Sequence, residues 1–159
     1  MVDAIPDRYP RVMPYLHVDG AADAIAFYEN VFGAAERMRM PDPSGKIGHA
    51  ELQLGDSVIM LADEYPDMGI RGPSAYGGSP VTISVYVEDV DEVFARALEA
   101  GAKTIQELTN QFYGDRSGQF EDPWGHRWSV ASHVEDVSPE EMERRAAEAM
   151  GGVGEMPKD

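Results

Sequence analysis

The chain contains an internal echo, and that echo limits what it can fold into more than any other feature. AELQLGDSVIML, Ala50 to Leu61, lies over FEDPWGHRWSVA, Phe120 to Ala131, with Glu51 on Glu121 and Gly55 on Gly125. A strand-like run follows each glycine. A unit that recurs within one chain is a supersecondary piece that cannot cover its own apolar face and is completed by its copy.

Periodicity shows what the unit is. VMPYLHV, Val12 to Val18, alternates, with Val12, Leu16 and Val18 on one side and Met13, Tyr15 and His17 on the other, as a strand does. In DGAADAIAFYENVFG, Ala21, Ala24, Ile25, Tyr28, Val31 and Phe32 form a stripe at helical spacing, and Gly33 supplies the left-handed stop. AERMRM and the turn-rich PDPSGK follow, then GHAELQL and SVIMLAD, two strands joined across the hairpin dipeptide Gly55-Asp56.

The second half keeps the order. VTISVYV, Val81 to Val87, alternates. DVDEVFARALEAGA is a helix with Asp89 and Glu92 at capping-box positions and Gly101 as its stop. KTIQEL, a long polar loop, and the pair SGQFED and HRWSVAS complete it. The chain therefore reads as α+β, two tandem βαβββ modules forming a curved mixed sheet with a concave pocket. The first module occupies residues 11–64, a linker 65–80, and the second module 81–133, all in a single domain 1–159. Residues 134–159 add a short C-terminal helix, with Ser138 as N-cap, Pro139 at the first helical position and Glu141 in the capping box, and then a flexible tail.

PYLHVDGAADAIAFYENVFGA, the GDSVIML hairpin and EDPWGHRW resemble the vicinal oxygen chelate superfamily, which includes glyoxalase and bleomycin-resistance proteins. The likeness spans about Arg11 to His133 and implies the doubled fold, commonly as a homodimer. It implies no single activity, because the superfamily includes isomerases, dioxygenases, thiol transferases and antibiotic-binding proteins. Metal-dependent members place four His or Glu ligands on the first and last strands of each module. The matching positions here are Met13, Ile59, Thr82 and Ser129, none of which offers a carboxylate or an imidazole. The expectation is a protein that holds no catalytic metal or other cofactor.

Strand parity places Met13, Tyr15, His17, His49, Glu51, Gln53, Thr82, Ser84, Tyr86, Arg127 and Ser129 on the concave face. Among them His17, His49 and Glu51 have acid–base chemistry, since a histidine oriented by a carboxylate can serve as a general base. The alternative is a set of polar groups on a solvated strand face. The loop NQFYGDRSG, Asn110 to Gly118, adds Tyr113 and Arg116, suited to a planar or anionic ligand. It could equally be a structural loop with an Asp115–Arg116 pair. Tyr15, Tyr86, Tyr113, Arg116 and Arg127 are the candidate ligand-binding residues, and all but Arg127 are expected to border one cavity with the acid–base cluster, either within a chain or across a dimer. The linker's Gly, Pro and Tyr content suits a flap.

Composition narrows the partners. A formal net charge of −16 opposes nucleic acid and permits a cationic ligand, although much of the excess sits in the acidic C-terminal segment. The absence of cysteine removes thiol nucleophiles and disulfide scaffolds. No apolar run approaches the roughly 20 residues of a membrane span, and MVDAIPDRYP does not read as a signal peptide, so a cytoplasmic location is expected. The leading expectation is a metal-independent small-molecule-binding protein that sequesters a toxic or antibiotic compound. The alternative is a lyase, isomerase or dioxygenase-like enzyme using the His/Glu cluster.

Overall fold

The structure, a computed structural model, describes residues 1–151. The segment expected as a flexible tail, GGVGEMPKD from Gly151, lies outside the described residues from position 152 on, and Gly151 itself ends the C-terminal helix. The first module comprises β1 (Tyr15–Val18), α1 (Ala21–Phe32), β2 (Ala35–Pro41), β3 (Ile47–Leu54) and β4 (Ser57–Asp63). The second comprises β5 (Thr82–Tyr86), α2 (Val90–Glu99), β6 (Lys103–Asn110), β7 (Asp115–Glu121) and β8 (Arg127–His133). A C-terminal helix, α3, spans Pro139–Gly151.

Each module forms its own four-stranded mixed sheet, ordered β1-β4-β3-β2 and β5-β8-β7-β6, with a parallel first pair and antiparallel partners beyond it. The curved mixed sheet expected from the repeat is built as two four-stranded halves, one per module, with no ladder joining them among the described residues. The helices unite them instead. Trp128, on β8, packs against Phe32 and Tyr28 of α1 at ring distances of 4.8 and 5.4 Å, and Phe120 bridges Phe32 and Phe94. The apolar stripe of each strand and the buried faces of both helices form one core.

Local signals end the elements where expected. Gly33 adopts a left-handed conformation, and the backbone N–H of Glu92 donates to the Asp89 carboxylate at 3.1 Å. Asp63, at the end of β4, accepts from the N–H groups of Gly20 and Ala21 at the start of α1. Ser132, in the same place on β8, accepts from Val90 N–H at the start of α2. Two apolar residues of the second module stay at the edge of the core. Val85 is only half-buried on an edge strand, and Leu98 is 39% exposed because α2 turns Val93, Phe94 and Ala97 inward. The long polar loop is a hairpin. Gly114, at φ 99°, permits a tight turn over Gln111–Gly114, so Asp115 and Arg116 become strand residues.

The EDPWGHRW segment is a turn built on Asp122, whose Oδ1 accepts from the backbone N–H groups of Trp124 and His126, both at 3.0 Å. The same turn occurs at DPSGK, where Asp42 Oδ1 accepts from Ser44 N–H at 2.8 Å and Lys46 N–H at 3.1 Å. The two turns occupy different hairpins, β2–β3 and β7–β8, so the shared D-P-x-G sequence specifies a local bend and no activity.

Candidate functional site

Strand pairing assembles the first-module face that points away from the helices. Glu51 lies in register between Met38 on β2 and Met60 on β4, and Met60 in turn lies beside Tyr15 on β1. Met40 pairs with His49. A carboxylate only 4% exposed must have partners, and Glu51 has two. The Tyr9 hydroxyl donates to Oε1 at 2.9 Å, and His49 Nε2 lies 2.8 Å from Oε2. The other imidazole nitrogen, Nδ1, lies 2.8 Å from the Tyr15 hydroxyl. A continuous chain of hydrogen bonds thus runs Tyr9–Glu51–His49–Tyr15, and it ends at the surface on Tyr15, 44% exposed.

Electrostatics fix the roles along that chain. Burial alone would raise the Glu51 pKa, but the hydrogen bonds from His49 and Tyr9 outweigh it and hold the carboxyl below its ordinary value. Burial, reinforced by the Glu51 charge, pushes the Tyr15 hydroxyl up, so it stays protonated at neutral pH. A charged Glu51 accepts a hydrogen bond from His49 Nε2–H, and Nδ1 then accepts from the Tyr15 hydroxyl. A lone pair on the Tyr15 oxygen remains free for a ligand donor. The guanidinium of Arg37 lies 4.7 Å from the centre of the Tyr9 ring and also donates to Arg8 O.

His17 lies edge-on to Tyr15, with ring centres 5.4 Å apart, and its carbonyl accepts from His126 Nε2 at 3.0 Å. Tyr15 and His17 form the floor of a hollow of about 210 Å³, closed on its other side by the linker through Arg71, Gly72 and Tyr76.

Other candidate residues lie elsewhere. The Tyr86 hydroxyl donates to Asp115 Oδ2 at 2.6 Å, and His133 Nδ1 lies 2.9 Å from Oδ1 of the same carboxylate. Burial would raise the Asp115 pKa, yet the hydrogen bonds from Tyr86 and His133 lower it overall. Tyr86 lines a cleft of about 800 Å³ beside β5, separate from the hollow under the linker, so Tyr15 and Tyr86 do not share one cavity within the chain. Tyr113 stacks edge-on with Phe112 at the β6–β7 turn, on the Tyr86 side. Arg116 faces the helices, not the pocket, because successive strand residues point to opposite faces. It pairs with Asp91 at 2.9 Å and with Asn110, and not with its neighbour Asp115. Arg127, in register with Thr82 and Glu121, joins neither cluster. Tyr9 lies in an aperiodic segment and gave no sequence signal, whereas the alternation of Arg127, Ser129 and Ala131 extends to His133 and would have found it.

The positions that the resemblance assigns to metal ligands need one correction. The β3–β4 turn holds two residues, since Leu54 pairs with Ser57, whereas Glu121 pairs with Arg127 across the longer β7–β8 turn. The β4 residue equivalent to Ser129 is therefore Met60, beside Tyr15, and Ile59 is a core residue at 3% exposure. Met13, Met60, Thr82 and Ser129 supply two thioethers and two hydroxyls, which do not fit a divalent cation that needs several nitrogen or carboxylate donors. Among the described residues, no three His, Asp or Glu side chains are grouped as a metal shell would require.

Comparison with known proteins agrees with this architecture. The family model for the glyoxalase/bleomycin resistance protein/dioxygenase superfamily matches residues 9–130. The uncharacterized protein Rv0887c of Mycobacterium tuberculosis is 44% identical over 137 residues, covering 84% of this chain and 81% of that protein. Among solved structures, protein PA1353 from Pseudomonas aeruginosa superposes with a TM-score of 0.63 at 26% identity, over 79% of this chain and 99% of that one. TioX from Micromonospora sp. ML1 gives 0.58 at 26% identity, over 79% and 99%.

Proposed function

The chain belongs to the glyoxalase/bleomycin resistance protein/dioxygenase superfamily, and on that basis we propose that it is a metal-independent member that binds a small organic molecule on the open face of its first module. The observation that supports this reading is the Tyr9–Glu51–His49–Tyr15 chain among Met38, Met40 and Met60. Unbranched thioether side chains adapt to an irregular apolar ligand. The hydrogen-bonded chain fixes one polar contact point at Tyr15, and few, well-placed polar groups in an adaptable apolar wall are what a small-molecule site needs.

The test is thermal unfolding against a panel of aromatic compounds, with and without EDTA. A ligand at one hundred times its dissociation constant adds about 2.7 kcal/mol of stability, and Tyr15→Phe is expected to reduce that gain. Near-stoichiometric metal after dialysis without chelator, together with a lower melting temperature in EDTA, would return the protein to the metalloenzymes.

A second reading, an acid–base lyase or isomerase, rests on the same chain, since His49 is held by a carboxylate as a general base would be. The protonated Tyr15 hydroxyl favours binding, because it occupies the nitrogen that a base would need. Conversion of a bound ligand, abolished in His49→Gln, would establish the enzyme.

A further inference from the structure

Resting on the binding reading above, we infer that the hollow between β1 and the linker takes a single-ring aromatic acid, its ring beside Tyr15 and Tyr76 and its anion on Arg71. Three observations converge on this class.

The first is charge. In a chain of formal net charge −16, the polar residues lining the hollow are Arg71, His17, His126 and Ser79, with Tyr15 and Tyr76, and no Asp or Glu is among them. The nearby acids Asp19, Glu64 and Glu121 line the neighbouring cleft instead, and the Glu64 carboxylate is already engaged by Gly72 N–H at 2.8 Å. At physiological salt, screening acts over about 8 Å, so the contacting groups decide selectivity more than the distant net charge does. An ammonium would meet the Arg71 charge and find no carboxylate among the lining residues, whereas a carboxylate would meet a guanidinium able to hold it with two parallel hydrogen bonds.

The second is that the wall is built, not draped. Gly72 N–H donates to Glu64 Oε1 at 2.8 Å. A Cβ at Gly72 would stand 2.7 Å from the His17 carbonyl oxygen, so only glycine lets the linker lie this close to β1. On the other flank, a Cβ at Gly125 would stand 2.9 Å from Pro73, so the DPWG turn braces the linker as well. Arg71 and the short helical turn Pro73–Tyr76 therefore project from an anchored backbone.

The third is size and polarity. A hollow of about 210 Å³ lies below the roughly 300–1,000 Å³ of sites for drug-sized ligands, a size that suits one ring. Tyr76 is 70% exposed, an aromatic face held free at the rim.

The experiment uses the full chain and isothermal titration with 4-hydroxybenzoate, its neutral methyl ester, and tyramine as the cationic match. The acid is expected to bind about tenfold or more tightly than either competitor. Arg71→Gln should erase that preference while leaving the melting temperature of the free protein unchanged, and Gly72→Ala should weaken the acid by displacing the wall. Equal affinity for acid and ester, or an Arg71→Gln variant that keeps the preference, would overturn this inference. If Tyr15→Phe weakened all three probes in that case, the binding reading would stand without it. Tighter binding of tyramine, or no heat from any probe, would also reject the aromatic-acid class, and the wider panel would then judge the binding reading separately.

Discussion

The Tyr28 hydroxyl donates to Asp122 Oδ2 at 2.5 Å, joining the first module's helix to the second module's turn across 94 residues of sequence. Both side chains are buried. Burial first, and then the Asp122 charge, pushes the Tyr28 hydroxyl well above its ordinary value, so it always acts as the donor. Asp122 also accepts from Trp128 Nε1 at 2.9 Å and from two backbone N–H groups of its own turn. One carboxylate thus shapes the turn, orients the largest core side chain and ties the modules together. Tyr28→Phe is expected to cost about 1.5–3 kcal/mol, and Asp122→Ala more, since it strands several buried donors. Urea midpoints at unchanged slope measure this, and a Tyr28→Phe midpoint equal to that of the parent would disprove the clamp.

The inward face of α2 can be checked by a pair of substitutions. Phe94, 4% exposed, touches Phe120, and Phe94→Ala is expected to cost about 3–5 kcal/mol. Leu98→Ala, one turn further on but at the surface, is expected to cost below about 1 kcal/mol. The opposite ranking would mean that α2 is rotated about its axis.

His133 makes stability depend on pH in a definite direction. Its hydrogen bonds to Asp115 and then Asp136 raise its pKa above the ordinary 6.5. A group raised on folding contributes fully below its unfolded value, and the contribution disappears as pH rises through the folded value. Asp115 is lowered from 3.8, so its share is present above that value and is lost in acid. The parent should therefore exceed His133→Gln in melting temperature most clearly near pH 5.5, with the gap closing in mild alkali. A gap that widened with pH would contradict the pairing.

Tyr9 should govern acid unfolding of the first module. Glu51 is held below its ordinary value in part by the Tyr9 hydroxyl, so its stabilisation persists above the unfolded value and is lost as pH falls through the folded one. Tyr9→Phe removes a donor from that carboxylate, and the acid midpoint should move to higher pH. An unmoved midpoint, with Glu51→Gln shifting it, would show that His49 alone holds the charge.

Much of this architecture was legible in the sequence because it follows from local covalent geometry. Alternation placed Tyr15, His17, His49 and Glu51 on one face, since successive strand side chains must point to opposite sides. Helical spacing found both helices, and short polar side chains and glycines marked their ends at Asp89, Ser138 and Gly33, where the local backbone leaves no alternative. A register depends on turn length, and one two-residue turn was enough to put Met60, not Ile59, beside Tyr15. The tertiary structure decided the rest. Tyr9 reaches Glu51 across 42 residues, Arg116 chooses Asp91 over its neighbour Asp115, Leu98 is left outside, and the linker lies against His17. Those outcomes depend on how rigid elements dock. The hydrophobic burial that drives docking is non-directional, so no short window of sequence encodes which distant polar group will meet which.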